Sequence, residues 1–366
     1  MKILRTGAAL AAVAALALTA CGGDNGATGT DGSTPDGNTS TLSGTLNATG
    51  ASSMKAAQEV WRAEFQTANP DVTINYSPDG SGAGRTAFMD GAAAFAGSDR
   101  ALKDDEMAEA FELCAEGTSP INLPVYISPI AIVFNIDGVE ELNLSADVVA
   151  QIFRGEIAKW DDAAIADLNE GTELPDLDIT PVHRSDNSGT TENFTATLSQ
   201  VAPEVWTDEA SGDWPSSLGG EAGAQTSGVI AAVQNGSGTI GYADASGVPE
   251  GMSMANYSLD GTTDLVGPEA EAAAAIVAAS EKVEGRADND WALTLDRTAA
   301  GYPFVLVAYA ITCQEYADPA TGELVGAYIS YIASAEGQEA AVPQAGNAPL
   351  AGELATSVQQ AAAAIK

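Results

Sequence analysis

The run His183-Arg184-Ser185-Asp186-Asn187-Ser188-Gly189-Thr190 gathers hydroxyl and glycine residues beside one guanidinium. That composition suits the capture of an oxyanion. Arg184 offers a planar fork with donors for two oxygens of a tetrahedral anion, which a lysine holds with less direction. Ser188, Gly189 and Thr190 offer backbone N–H groups with no bulky side chain in the way. Turns and helix caps use the same residues, so this stretch alone decides nothing. Its recurrence says more, because Gly50-Ala51-Ser52-Ser53 and Gly80-Ser81-Gly82-Ala83-Gly84 are two further runs of small residues.

Each run lies where a helix begins. Asp178 to Val182 alternates like a strand, and Thr191 to Val201 places Phe194, Leu198 and Val201 on one helical face. A short strand, Leu46 to Ala48, leads through Gly50 to Ser53 into a helix over Met54 to Ala68 with Ala57, Val60, Trp61 and Phe65 at helical spacing. Val72, Ile74 and Tyr76 alternate as a strand that enters the glycines, and Arg85 to Met89 then reads as helix. The first N–H groups of a helix lack partners and carry partial positive charge, so three such starts brought together can hold an anion. Asp99, at the end of an apolar run from Ala92 to Ser98, stands out among these donors as an acceptor.

Other chemistries fit less well. His183 is the only histidine, no Gly-x-Ser-x-Gly elbow occurs, and a turn histidine beside an arginine reads as a hydrogen-bonding group, so no catalytic residue is assigned. The glycines at 80–84 lack the sixth-position glycine of a dinucleotide fingerprint, and no Gly-Lys-Ser/Thr follows. They imply close backbone approach. Asp288 and Asp290 resemble part of a calcium loop without its glycine and remaining ligands, and read as a solvated turn. No metal or cofactor is expected. The tryptophans 61, 160, 206, 214 and 291 occur singly, which disfavours a sugar-stacking platform.

The N-terminus carries an address. Lys2 and Arg5 precede an apolar run from Ala8 to Leu18 and then Leu18-Thr19-Ala20-Cys21, a signal peptide over residues 1–20 ending in a lipobox with Cys21 as the lipidated residue. Residues 21–44 are rich in Gly, Ser, Thr, Asp and Asn and form the expected tether; twenty such residues span about 25 Å. Without Lys2 and Arg5, 12 basic residues face 51 acidic ones, a formal charge of −39. Nucleic acid is excluded as a partner, and an anion must be held by local donors against the overall field. Cys114 and Cys313 remain, and an extracytoplasmic setting invites a disulfide between them, with two buried thiols as the alternative.

A length of 366 residues favours two domains. Ile121 to Asn135 and Tyr302 to Cys313 are long apolar segments far apart in sequence, read as hinge strands. Lobe I then comprises 45–127 and 304–366, and lobe II is the insertion 128–303. A charged helix is expected over Lys103 to Cys114. Lobe II should carry helices near 146–154, 162–169, 228–234 and 269–282 and a strand at 238–243, and helices near 323–335 and 351–365 should return to lobe I. This alternation makes the fold α/β.

At this point the chain resembles the phosphate-binding lipoproteins of Pst-type ABC importers. The likeness runs from about Thr45 to the C-terminus, through Thr49-Gly50-Ala51-Ser52, Gly80-Ser81-Gly82, Ala96-Gly97-Ser98-Asp99, Gly155 to Asp162, Arg184 to Thr190 and Gly238-Thr239-Ile240-Gly241-Tyr242. It implies a type II periplasmic-binding-protein fold, two lobes joined by a two-strand hinge with the ligand in the cleft. It implies phosphate contacts from Ser52, Ser53, Ser81, Asp99, Arg184, Ser188, Gly189 and Thr190. A membrane permease would be the partner, and a monomer lipid-anchored at the outer face of the cell membrane is the expected form. The chain departs from many relatives at Ser52-Ser53, where they carry threonine and phenylalanine, and at Arg100, which could pair with Asp99, face solvent or reach the ligand. Another tetrahedral oxyanion such as sulfate or molybdate, or a secreted phosphatase on the same fold, are the alternatives. Asp99 separates phosphate from sulfate, since an ionised carboxylate accepts a hydrogen bond from a protonated anion and repels one without a proton.

Overall fold

A computed structural model describes residues 41–259, 261 and 264–366. The expected signal peptide, Cys21 and nearly all of the expected tether lie outside the described residues. The described residues build a nine-stranded sheet in the order Val72–Ser77, Gly44–Gly50, Ala96–Ser98, Val305–Cys313, Pro120–Asn135, Thr239–Asp244, Thr180–Arg184, Glu221–Gly223, with Ser253–Met254 also on the Pro120–Asn135 strand. The strands at either end of this order pair in parallel, as βα units require, and those in the middle pair antiparallel.

The Pro120–Asn135 strand makes one sheet into two lobes. Its residues 120–129 pair with Cys313 back to Val305, and 130–135 pair with Asp244 back to Thr239, so it changes partner between Pro129 and Ile130. Every residue from Pro120 to Phe134 is buried, which explains the unbroken apolar run in place of alternation. The strand also runs through both prolines. Pro124 faces Tyr309 at a register shift, and Pro129 sits at the change of partner, two places where a missing N–H costs the ladder least.

Each parallel strand delivers its C-terminal end to a helix. Gly44–Gly50 leads through Ser52 and Ser53 to Lys55–Ala68, Val72–Ser77 leads to Ser81–Met89, and Thr180–Arg184 leads to Gly189–Val201. The second of these helices starts earlier than its sequence pattern indicates, taking Gly82 and Gly84 into its first turns. Their lack of Cβ is a packing requirement: a Cβ on Gly84 would lie 2.6 Å from Gly50 Cα. Gly80, ahead of this helix, has φ +105°, a conformation that favours glycine.

Other expectations need correction. The charged helix is confined to Asp104–Met107, because Ala115 N–H donates to Glu315 O and Cys114 bridges Tyr316, which draws the chain off a helical path. The expected helix near 162–169 forms only over Ala163–Ala166, where Asp162 accepts from Ala164 N–H. The helix near 269–282 ends at Ala278, and Glu281–Lys282 pairs with Leu293–Thr294 instead. An additional helix, Ala335–Ala345, carries Pro343 near its end and packs on Lys55–Ala68, with Trp61 Nε1 donating to Gly337 O at 2.6 Å. Asp290 is fully buried, not solvated: Oδ1 accepts from the N–H and the amide of Asn122 at 3.0 Å each. Cys114 and Cys313 form a disulfide that joins the end of the Val305–Cys313 strand to the segment before Pro120–Asn135. Among the described residues no helix is long and apolar enough to cross a membrane, and no group of metal-ligating side chains occurs.

Candidate anion-binding site

Asp99 follows directly on the Ala96–Ser98 strand and is 3% exposed. Groups from all three helix starts meet it. Ser53 Oγ donates to Oδ1 at 2.5 Å, Thr190 Oγ1 donates to Oδ2 at 3.1 Å, and the Asp99 N–H donates to Ser81 Oγ at 3.0 Å. Asn193 Nδ2 donates to its carbonyl at 2.6 Å. Both carboxyl oxygens of Asp99 face hydroxyls, an arrangement that suits an ionised, acceptor-only carboxylate. Burial pushes its pKa up, opposed by the hydroxyls of Ser53 and Thr190 and the charge of Arg184.

Arg184 closes its strand and is also buried. Its Nε and Nη2 donate to Asp186 Oδ1 and Oδ2 at 2.9 and 2.5 Å, a fork-to-fork pair that fixes the plane of the guanidinium and leaves Nη1 outside it. Burial works to raise the Asp186 carboxyl, but the hydrogen bonds and charge of Arg184 outweigh it and hold the group below its usual range. Asp186 Oδ1 also accepts from Gln225 N–H at 2.9 Å. Gln225, with φ +58°, is the one non-glycine residue of positive φ among the described residues.

The remaining candidates divide by the bonds they already make. Ser188 caps its helix by accepting from Thr191 N–H at 3.2 Å, which leaves its O–H able to donate. Gly189 presents bare backbone, and a Cβ there would fall 2.6 Å from Asp99 Cβ. Ser52 Oγ lies 3.0 Å from Thr226 Oγ1 and accepts from Thr226 N–H at 3.3 Å, so it reaches a fourth helix start, that of Gln225–Asn235. Of the eight candidates, Ser53, Ser81 and Thr190 meet Asp99 by hydrogen bonds and Gly189 backs directly on it, while Ser52, Arg184 and Ser188 are held by Thr226, Asp186 and Thr191.

Several participants escaped sequence reasoning. Arg85, 4% exposed, donates to Ser98 Oγ at 2.9 Å and to Asn187 Oδ1 at 3.1 Å, and Gly82 N–H donates to Asn187 O at 3.2 Å. Gln225 and Thr226 carried a signal, a small polar run ahead of a periodic helix, like the three already recognised. Arg297 carried none: it is buried, and burial lowers its pKa to about 9. It donates to Thr197 Oγ1, Pro303 O and Val305 O at 3.0, 3.0 and 2.7 Å and to Asn193 Oδ1, supporting the cradle helix from the hinge side. Arg100 pairs with Glu106 and Glu192 instead of with Asp99. His183 stacks on Trp214 at 4.8 Å, and its Nδ1 lies 2.9 Å from Arg184 O, a supporting contact behind the cradle.

The architecture and the site define a two-lobed binding protein with donors from both lobes around one acceptor. A family model described as the PBP superfamily domain matches residues 36–336. The phosphate-binding protein PstS 2 of Mycobacterium tuberculosis is 35% identical over 368 residues, 96% of both chains, and PstS 3 of the same organism is 34% identical over 340 residues, 90% of both. The chain belongs to the PBP superfamily and, within it, to the PstS family of phosphate-binding proteins. A phosphate-binding protein from Stenotrophomonas maltophilia has the same fold, with a TM-score of 0.67 at 20% identity over 87% of this chain and 94% of that one. So does a putative phosphate ABC transporter substrate-binding protein from Clostridium perfringens, solved with bound phosphate, with a TM-score of 0.60 at 19% identity over 84% of this chain and 100% of that one.

Proposed function

We propose that this protein captures inorganic phosphate outside the cytoplasm and hands it to the membrane permease of an ABC importer. The observation that carries the reading is Asp99, a buried acceptor at the meeting point of three helix starts with Arg184 beside them. Helix-start amides, hydroxyls and the Arg184 Nη1 left outside the pair with Asp186 supply donors for phosphate oxygens, and Asp99 accepts a hydrogen bond from the proton that phosphate keeps at neutral pH. The ligand set is Ser52, Ser53, Ser81, Asp99, Arg184, Ser188, Gly189 and Thr190.

Lobe I is 45–127 with 304–366 and lobe II is 128–303, a division supported by the change of partner along the Pro120–Asn135 strand. Donors then come from both sides of the cleft, and phosphate favours the closed state because only that state offers all of them. The protein acts as a monomer, tethered to the outer face of the membrane through a lipid on Cys21. Equilibrium binding of phosphate, sulfate and arsenate tests the reading. Saturable binding of phosphate and arsenate, with sulfate far weaker, is the expected result; turnover of a phosphoester, or preference for sulfate, overturns it.

A further inference from the structure

Glu192 lies in the first turn of the Gly189–Val201 helix, two residues beyond Thr190, and its carboxylate turns toward the other lobe. Oε2 accepts from Arg100 Nε at 2.7 Å, and Oε1 lies 3.0 Å from Lys103 Nζ. Both cations belong to the segment just after Asp99. Arg100 is held in place from behind, because its Nη1 and Nη2 donate to the two oxygens of Glu106 at 2.6 and 2.8 Å. Glu106 also accepts from Lys103 N–H at 2.7 Å and lies 3.4 Å from Arg85 Nε. Burial works to raise the Glu106 carboxyl, yet Arg100 and its other partners hold it at about 2. The Arg100 and Glu192 side chains are 16% and 12% exposed, whereas Lys103 is half exposed. Asp99, Arg100, Glu192, Asn193 and Arg297 line one cavity of about 210 Å³, so these charges border the same space as the cradle's acceptor.

We infer that Arg100, Glu192 and Lys103 form a charged clasp between the lobes, which sets how fast bound phosphate is released without touching it. The inference rests on the proposal that phosphate is held by lobe closure. Opening the cleft separates Glu192 from both cations. The fork between Arg100 and Glu106 orients Nε for Glu192, so closing re-forms a bond whose donor is already positioned. A pair this dry retains more of its attraction than a fully exposed one. Such contacts act on dissociation more than on encounter.

The test measures phosphate release from the full-length chain by rapid mixing, together with association at matched phosphate concentrations. Glu192→Gln and Arg100→Gln are each expected to speed release about tenfold while association changes by less than about twofold. The double variant is expected to be no faster than Glu192→Gln alone, because Glu192→Gln already removes the contact that Arg100→Gln removes. Lys103→Gln should give a smaller change in the same direction. Raising the ionic strength from about 0.05 to about 0.5 M should narrow the gap between wild type and Glu192→Gln. Unchanged release in Glu192→Gln with an unaltered melting temperature, or additive effects in the double variant, overturns the clasp. If Arg100→Gln fails to fold, Glu192→Gln and Lys103→Gln carry the decision. A wild-type protein that does not bind phosphate would instead refute the functional reading, and the clasp with it.

Discussion

Gly189→Ala inserts a wedge at the point where the lobes meet. The backbone of Gly189 is the first residue of its helix, where alanine costs nothing in conformation and gains up to about 1 kcal/mol in helix propensity. The added Cβ, however, would sit 2.6 Å from Asp99 Cβ and 2.7 Å from Ser81 Oγ, both across the cleft. Carbon atoms pack comfortably at about 3.5–4.0 Å, so the lobes must part by roughly 1 Å. Both obstacles are near backbone, where they have little freedom to yield. Overpacking of this kind costs about 1–3 kcal/mol, which is a loss of roughly 5- to 150-fold in phosphate affinity if closure carries the penalty. The open protein has room for the methyl group, so the melting temperature without phosphate should be unchanged or slightly higher. Titration calorimetry gives the affinity, and small-angle scattering with and without phosphate gives the closure. Wild-type affinity together with wild-type compaction in Gly189→Ala would show that the lobes do not close on this residue.

Removing the disulfide by Cys114→Ser with Cys313→Ser opens a loop closed across 199 residues, and the chain-entropy account puts the loss at up to about 5 kcal/mol, read as a lower urea midpoint. An unchanged midpoint would refute it. Arg297→Met takes a buried donor from Val305 O and from Asn193 Oδ1, so the protein should lose about 1–3 kcal/mol of stability by the same measurement, with no loss counting against a structural role. Burial raises the Asp99 pKa, so falling pH should convert Asp99 from acceptor to donor earlier than an exposed aspartate, and the preference for phosphate over sulfate should shrink toward acid and stay level above neutrality. Dissociation constants for both anions between about pH 4.5 and 8 check this; a constant ratio contradicts it.

The cradle was legible because its parts are local. A short run of serine and glycine between an alternating segment and a helical one marks a helix start wherever the chain goes next, and this was enough to single out Ser52, Ser81 and Ser188 to Thr190. Asp99 drew notice as a carboxylate among donors. The pairings that hold these groups in place are not local. Arg85 meets Asn187 across 102 positions, and Ser52 meets Thr226 across 174, distances over which no periodicity speaks. The strands Pro120–Asn135 and Val305–Cys313 were readable as apolar runs, while the continuity of Pro120–Asn135 through two prolines depends on where its partners end. The charged segment after Lys103 looked helical because its composition favours a helix, but Cys114 and Ala115 are committed to the far end of the chain. Arg100 was ambiguous for a related reason, since its partner Glu192 lies 92 positions away.

On the proposed function, Asp99 reads the proton on phosphate. In the folded protein both its oxygens already accept hydrogen bonds, from Ser53 and Thr190, as an ionised carboxylate does. Sulfate brings only lone pairs to that carboxylate, and sites built around a ligand hydroxyl reject the analogue without it by about 10⁴–10⁵-fold. Asp99→Asn keeps the shape and adds an amide donor, while Asp99→Ala removes the acceptor and supplies no donor. The decisive measurement is the ratio of phosphate to sulfate dissociation constants at one fixed pH in wild type and both variants. The ratio should collapse toward sulfate in Asp99→Asn and shift less far in Asp99→Ala; a wild-type ratio in a correctly folded Asp99→Asn protein would contradict the role given to Asp99.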